Sequence, residues 1–162
     1  MSRAFLSLGS NLGDRLVYLR AAVEALKRGP RMKLLGTSKV YETAPVEVED
    51  EQPYYLNCVA ELECEVPAIE LLRYCQGVEG ALGREQKGEK APRTVDIDVL
   101  LFGDEVIEEP PLGVPHRGVT RAFNLKGLAE LDPDLHIPRR GRVGELLAKA
   151  DLDGIEEVGK LC

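Results

Sequence analysis

The chain is poor in aromatic residues and has no long apolar run. It contains no Trp, three Phe and five Tyr among its 162 residues. No apolar stretch approaches the roughly 18–20 residues that a membrane-spanning helix requires, so we expect no membrane partner. The N-terminal stretch lacks the apolar core and the small-residue cleavage site of a signal peptide. It is typical of a first strand, and we expect a cytoplasmic protein.

Zinc-type cysteine motifs and a phosphate-binding loop motif are also missing. The chain has four cysteines, none in a Cys-x-x-Cys pair and none at zinc-type spacing from a histidine. Without a signal peptide we expect reduced thiols, and we interpret Cys58 and Cys64, on one predicted strand face, as packing residues. No Gly-x-x-x-x-Gly-Lys-[Ser/Thr] sequence occurs. If the protein binds ATP, it therefore does so without a P-loop.

The charge is acidic overall but unevenly distributed. A formal net charge of −7 argues against nucleic-acid binding, which needs a basic surface. Basic residues nevertheless bracket one short predicted strand, and these are Arg84, Lys87, Lys90, Arg93, Arg117 and Arg121. A local cationic pocket in an acidic protein favours a small polyanion such as a nucleotide.

Apolar spacing predicts a single domain over residues 1–162, with no repeat or long linker. A strand over 5–8 runs into a glycine-containing turn at 9–13. An amphipathic helix begins at Asp14 and ends at Gly29-Pro30. A strand around Val40 follows.

The second half of the chain again has a strand, a helix and a strand in that order, followed by one more helix. Residues 55–64 alternate between two faces, as a strand does. Pro67 opens a helix at its first position, residues 95–102 form an apolar strand, and residues 121–131 form a last main helix. This βαββαβ order predicts an α+β, ferredoxin-like fold with helices packed on an antiparallel sheet.

Two aspartates within the apolar strand are the first candidate site. Asp96 and Asp98 are two residues apart, so both carboxylates point to one face, roughly 7 Å apart. Hard oxygen ligands at that separation can hold one or two magnesium ions that bind phosphate oxygens. The alternative is a solvated pair on an exposed sheet face, although carboxylates in a central strand are costly without counter-charge.

Basic side chains flank this pair on both sides. Arg93 precedes the aspartates, and His116 and Arg121 follow them. The planar guanidinium donates hydrogen bonds in pairs and stays charged, which suits phosphate. Several arginines with a metal are what the transfer of a diphosphate requires, whereas each arginine taken singly is equally well a surface residue.

A stacking site for a flat heterocycle is the third candidate. Tyr55 and Asn57 share one strand face, and Phe123 follows Arg121. An aromatic ring and an amide that both donates and accepts suit such a ligand. The alternative is that Phe123 and Tyr55 serve only as packing residues.

Taken together, these segments resemble the hydroxymethyldihydropterin pyrophosphokinases of folate biosynthesis. The most specific match is PRTVDIDVLLFG at 92–103. The other matching segments are LGSNLGD at 8–14, YETAP at 41–45, YLN at 55–57, VPH at 114–116 and RAF at 121–123. The resemblance runs from about Ala4 to Pro138.

The resemblance implies a ferredoxin-like fold and a reaction that moves diphosphate from ATP to a reduced pterin, releasing AMP. It implies two magnesium ions on Asp96 and Asp98. Its ATP-binding positions correspond to Gln76, Arg84, Arg93, His116 and Arg121, of which Arg84 and Arg93 are also catalytic. Its pterin pocket corresponds to Thr43, Val46, Tyr55, Asn57 and Phe123, with Tyr55 and Phe123 on either side of the ring.

Two further expectations follow from the same resemblance. Glu79 matches a position that orients a nearby arginine, and Arg117 is a second candidate for the task of Arg121. We expect a monomer with small-molecule substrates and no nucleic acid. The rival hypothesis is a nucleotide-sensing regulatory module on the same fold, which explains the arginines but leaves a metal pair beside a heterocycle pocket unexplained.

Overall fold

The chain has an α+β architecture in the computed structural model, which describes residues 1–44, 54–83 and 95–161. Its strands are β1 (Ser2–Ser10), β2 (Met32–Thr37), β3 (Val40–Thr43), β4 (Tyr55–Cys64), β5 (Asp96–Phe102), β6 (Ile107–Glu109), β7 (Leu112–Val114), β8 (His136–Ile137), β9 (Gly141–Arg142) and β10 (Ile155–Gly159). Its helices are α1 (Arg15–Lys27), α2 (Ala68–Ala81), α3 (Ala122–Leu131) and α4 (Val143–Ala148). Within those three ranges no helix is both long and apolar enough to cross a membrane.

A six-stranded antiparallel sheet organises the fold. Its order is β10-β3-β4-β1-β5, and β2 also pairs with β4. β2 and β3 share one side of β4, so together they occupy a single strand position. With α1 after β1 and α2 after β4, the order is ferredoxin-like, which confirms the predicted fold class.

The strand predicted around Val40 is divided in two by Ser38 and Lys39. The backbone N–H of Ser38 donates to the carbonyl of Val59 at 2.8 Å. The Ser38 hydroxyl accepts from the N–H of Val59 at 2.8 Å and donates to the carbonyl of Lys39 at 2.9 Å. A side-chain oxygen thus replaces a backbone acceptor, and β4 keeps its hydrogen bonds across the break.

Element ends differ from the predictions at two further places. Pro67 is the N-cap of α2 and not its first helical residue, because its backbone is still extended with ψ of 158°. β10 adds a strand to the outer edge of β3, where the sequence analysis expects none. The side chains of β10 are exposed or only partly buried, so this strand lacks the alternating apolar pattern of an inner strand.

The sheet has a core on each face, and the alternation along β4 separates them. Leu56, Cys58, Ala60, Leu62 and Cys64 belong to the larger core, which includes the buried residues of α1 and α2. Val59 points to the opposite face, where it joins a smaller core under α3 and α4. Asp96, Asp98 and Tyr55 lie on the same face as Val59 and are partly exposed.

The cysteines of the described ranges are buried and form no disulfide. Cys58, Cys64 and Cys75 all lie in the larger core, as expected of packing residues. Burial raises the pKa of Cys64 to about 11. Burial, together with the nearby Glu79, Cys64 and Asp98, raises the pKa of Cys75 to about 12. Both thiols therefore stay protonated at neutral pH.

We expect Cys64 and Cys75 of the native protein to resist alkylation by iodoacetamide at pH 8. Only the thiolate reacts, and raising a thiol pKa from 9.0 to about 11 lowers the thiolate fraction roughly a hundredfold. The measurement is the labelling rate at each cysteine by mass spectrometry, with the same reaction in denaturant as control. Native and denatured rates within a factor of three would contradict it.

Candidate active site

The two aspartates of β5 lie on the sheet face opposite α1 and α2. β1 runs beside them, with Gly9 paired to Asp96 and Ser7 paired to Asp98. Neighbouring residues of an antiparallel pair share a face, so both carboxylates are on the same side as Gly9 and Ser7. Asp96 and Asp98 are partly exposed there, whereas Ile97 between them is buried in the opposite core.

Gly9 forms the floor between β5 and β4. Its composition predicts a strand-to-helix turn, but β1 extends through Ser10 because β4 and β5 pair with this strand on its two sides. On its other side Gly9 pairs with Asn57. A Cβ at Gly9 would come within 3.0 Å of the Asn57 Oδ1 atom and 3.5 Å of the Tyr55 ring. The missing side chain thus lets the Asn57 amide and the Tyr55 ring lie close against the β1 backbone.

The residues predicted to hold the heterocycle meet at the junction of β3 and β4. Thr43 pairs with Tyr55, and Tyr41 pairs with Asn57. The Asn57 amide donates through Nδ2 to the Thr43 hydroxyl at 2.8 Å, and both side chains are buried. This hydrogen bond fixes the amide orientation, with its Oδ1 atom on the side of Gly9. The structure therefore brings Thr43, Tyr55 and Asn57 together as predicted.

His116 approaches the aspartates from the loop before α3. Its Nε2 atom lies 3.6 Å from Asp98 Oδ1. Its Nδ1 atom accepts from the backbone N–H of Gly118 at 2.9 Å, so in the neutral ring the proton is on Nε2, facing Asp98. The backbone of His116 donates to the carbonyl of Leu100 at 2.9 Å, which ties the loop to β5.

Gly118 brings His116 and Arg121 next to each other. A Cβ at Gly118 would lie 3.3 Å from both His116 Nδ1 and Arg121 Nε. Its carbonyl accepts from Asn124 Nδ2 at 2.9 Å. Asn124 is buried in the first turn of α3 and holds this loop, a role that the sequence analysis missed. Its only sequence signal is a polar residue between the apolar Phe123 and Leu125. Arg117 is exposed in the same loop.

Phe123 lies on the side of α3 that packs against the sheet. It precedes Gly127 by one helical turn, so the two residues share a face of the helix. Gly127 packs directly on Val59, two residues along β4 from Asn57. Phe123 is partly buried and thus faces the same side of the sheet as the Asn57 amide.

Two predicted residues lie on α2. The buried carboxylate of Glu79 accepts from the backbone N–H of Ile97 at 2.9 Å, between the two aspartates. This contact positions β5, and the predicted arginine partner of Glu79 stays a prediction. Gln76 is exposed one turn earlier on the same helix. Val46, Arg84 and Arg93 lie outside the described residues, so their predicted roles remain predictions.

The donor set at β5 fits magnesium. The side chain of Asp98 is 39% exposed, so its oxygens are accessible to a bound ion. In the ranges 1–44, 54–83 and 95–161, no three His, Cys, Asp or Glu side chains cluster as a metal site. Asp96 and Asp98 would hold such an ion beside water and substrate oxygens. That is the mode in which Mg²⁺ binds beside phosphates.

Comparison with known proteins identifies the family. The sequence profile described as 7,8-dihydro-6-hydroxymethylpterin-pyrophosphokinase matches residues 5–133. The chain belongs to this family. It is an ATP-dependent diphosphotransferase of folate biosynthesis, and its substrates are ATP and a hydroxymethyl pterin. The family and the reaction inferred from the resemblance are thus confirmed, and the enzyme is favoured over the regulatory module.

Individual relatives agree over nearly the full length. A 2-amino-4-hydroxy-6-hydroxymethyldihydropteridine pyrophosphokinase of Pseudomonas aeruginosa is 38% identical over 98% of both chains. The protein of the same name from Methylorubrum extorquens is 42% identical over 98% of this chain and 99% of its own length.

A solved structure of Plasmodium falciparum HPPK-DHPS superposes with a TM-score of 0.70 at 16% identity, which supports the fold. The superposition covers 97% of this chain and 47% of that longer chain, so this chain spans about half of the solved protein.

Proposed function

We propose that the open sheet face is the catalytic site of this pyrophosphokinase, with ATP over β5 and the pterin over the junction of β3 and β4. One observation carries the proposal: Gly9 pairs with Asp96 on one side and Asn57 on the other. Two strand spacings of about 4.8 Å separate these residues, or roughly 10 Å. That distance suits a hydroxymethyl pterin and a diphosphate lying end to end across β1.

The transfer is an in-line attack by the pterin hydroxyl oxygen on the β-phosphorus of ATP. The new O–P bond forms as the bond between the β-phosphorus and the bridging α–β oxygen breaks, AMP leaves, and the hydroxyl proton is lost to solvent. Two magnesium ions, when bound, neutralise phosphate charge. The protein contributes by binding both substrates in line and by excluding water.

Each side chain has a defined task in this proposal. Asp96 and Asp98 hold the ions. His116 donates from Nε2, and Arg121 supplies a fixed positive charge beside it, so that both neutralise charge on the phosphates. The remaining ATP-binding residues are Gln76, Arg84 and Arg93. The pterin is bound by Asn57 and Thr43 through hydrogen bonds and enclosed by Tyr55, Phe123 and Val46.

The organisation of the protein is part of the same proposal. Both cores form on one continuous sheet, which supports a single domain over residues 1–162. We further propose a cytoplasmic monomer, with all site residues supplied by one chain. Sedimentation equilibrium at assay concentration tests this, because a dimer would have twice the mass of the chain.

We expect Asn57→Ala to raise the KM for the pterin by about tenfold to a hundredfold, with a smaller effect on the KM for ATP. The substitution removes an amide that is oriented by Thr43, and each lost hydrogen bond to a bound ligand costs roughly 1–3 kcal/mol. The measurement is AMP release from ATP with hydroxymethyldihydropterin and magnesium.

The matched control for this assay is Thr37→Ala, which truncates a side chain on β2 that also pairs with β4 but lies away from Asn57. It should leave both KM values within a factor of two. AMP release that does not depend on the pterin, or an unchanged pterin KM in Asn57→Ala, would contradict the proposed pocket.

A further inference from the structure

Arg15 connects the two strands of the proposed pterin pocket from behind the sheet. It is the first residue of α1. Its Nη1 atom donates to Glu42 Oε2 at 2.9 Å and to the backbone carbonyl of Tyr54 at 2.7 Å. Both side chains of the ion pair are 29% exposed, so the contact is largely shielded from water. One guanidinium therefore holds both a residue of β3 and the residue that immediately precedes β4.

The two contacted residues flank the outermost pair of the β3–β4 ladder. Glu42 immediately precedes Thr43, and Tyr54 immediately precedes Tyr55. Thr43 and Tyr55 are each other's partners and form the last rung before the strands part. Successive residues of a strand point to opposite faces, so Glu42 faces α1 while Thr43 faces the proposed pocket. The Arg15 contact thus lies directly beneath the pocket edge.

Along the β3–β4 ladder this rung has a neighbouring pair on one side only, and on the outer side Thr43 pairs with Ile155 of β10. The β3–β4 pairing covers three residue pairs, from Tyr41–Asn57 to Thr43–Tyr55. Short ladders open from their ends, because the terminal rung has neighbours on one side only. An opening at this end would separate Thr43 from Asn57 and break their 2.8 Å hydrogen bond. That hydrogen bond orients the amide towards the ligand.

We propose that Arg15 is a positioning residue for pterin binding, which keeps the Thr43–Tyr55 rung closed so that Asn57 and Tyr55 are preorganised for the ring. The inference rests on the proposed pterin pocket. Arg15 touches no substrate in this proposal, because it contacts the strands from the face covered by α1. Its effect should therefore reach the pterin and not ATP, whose proposed site lies on β5 at the far side of β1.

The chemistry of the contact distinguishes arginine from lysine. Both hydrogen bonds come from Nη1, whose two N–H groups are held in the guanidinium plane and can serve a carboxylate and a carbonyl together. A lysine ammonium at this position is shorter and lacks the planar fork. Glu42 supplies the charge partner, and the Tyr54 carbonyl supplies the second anchor. Loss of either contact should only partly weaken the pairing of Thr43 with Tyr55.

The test is two-substrate steady-state kinetics on Arg15→Ala, Arg15→Lys and Glu42→Gln, with thermal unfolding of each protein. Arg15→Ala is expected to raise the KM for the pterin about tenfold and to change kcat and the KM for ATP less than twofold. Arg15→Lys and Glu42→Gln should give intermediate pterin KM values. Lys27→Ala is the control, because Lys27 lies on the same helix and, among the described residues, pairs within α1, with Glu24 at 3.1 Å.

Several outcomes would overturn the inference. An unchanged pterin KM in folded Arg15→Ala removes the positioning role, and a similar rise in both KM values indicates a general structural role instead. If Arg15→Ala fails to fold, the pterin KM of Arg15→Lys and Glu42→Gln decides the question in the same way. Asn57→Ala, assayed in parallel, separates the two proposals: if its pterin KM is unchanged the pocket itself is wrong, and the role of Arg15 falls with it.

Discussion

Asp98→Ala is expected to lower kcat for pterin-dependent AMP release at least about a thousandfold. A loss of that size corresponds to roughly 4 kcal/mol of transition-state stabilisation, as expected when a charge-neutralising group is removed. Asp98 faces the open side of the sheet beside Asp96 and lies 3.6 Å from His116 Nε2. The substitution removes a proposed metal ligand and the carboxylate that His116 Nε2 faces. The measurement is AMP release at saturating ATP, pterin and magnesium.

Asp98→Asn separates the charge from the shape of the side chain. It keeps the size and can still accept from His116 Nε2–H, but it carries no negative charge for a cation. We expect a comparable loss of kcat and a magnesium requirement displaced to higher concentration. Asp104→Ala, in the exposed turn after β5, is the matched control and should retain full activity. Asp98→Asn within tenfold of the unmodified enzyme would show that the carboxylate charge has no metal-binding role.

Gly127→Ala is expected to lower the free energy of unfolding by about 2 kcal/mol. An alanine inside a helix normally stabilises it by up to about 1 kcal/mol relative to glycine. Here a Cβ would come within 2.4 Å of Val59 Cγ2, 2.9 Å of Val59 Cβ and 3.1 Å of Ser38 Oγ. These neighbours belong to the buried sheet, and overpacking of this kind typically costs about 1–3 kcal/mol. Denaturant unfolding followed by circular dichroism measures the change.

Gly77→Ala, on a different helix, is not expected to lower the free energy of unfolding. Gly77 lies inside α2, and a Cβ there would meet no atom within 4 Å. The free energy of unfolding should therefore rise or stay constant. A second check combines Gly127→Ala with Val59→Ala, whose smaller side chain makes room for the new methyl group. The double variant should be more stable than the sum of the two single changes predicts, and strict additivity would argue against the contact.

The main elements and the family could be predicted from the sequence, because both depend on local patterns. The alternation over residues 55–64 predicts β4 and both of its faces, since a strand exposes side chains with a period of two. The three-and-four spacing after Asp14 predicts α1 in the same way. Asp96 and Asp98 share a face because side chains two residues apart in a strand point the same way. The motif at 92–103 with its ordered flanks was specific enough to indicate the family.

Strand ends and strand breaks could not be predicted, because a partner strand decides them. Gly9 has the composition of a turn residue, yet β1 continues through it since β4 and β5 pair with it on both sides. Ser38 interrupts a strand only because its hydroxyl takes over a hydrogen bond from Val59, which lies 21 residues later. β10 reaches the sheet from the end of the chain. Each of these depends on contacts between residues distant in sequence.

The same distinction applies to the site. The sequence by itself determined which residue types are available: the aspartate pair, the flanking basic residues, the amide and the aromatic rings. Tertiary structure alone decided that Asn57 and Asp96 lie on either side of one glycine, that Gly118 and Asn124 hold the His116 loop, and that Arg15 joins β3 to β4. The sequence specifies the residue types directly. Residues that are distant in sequence become neighbours only when the strands pair and the helices pack against the sheet.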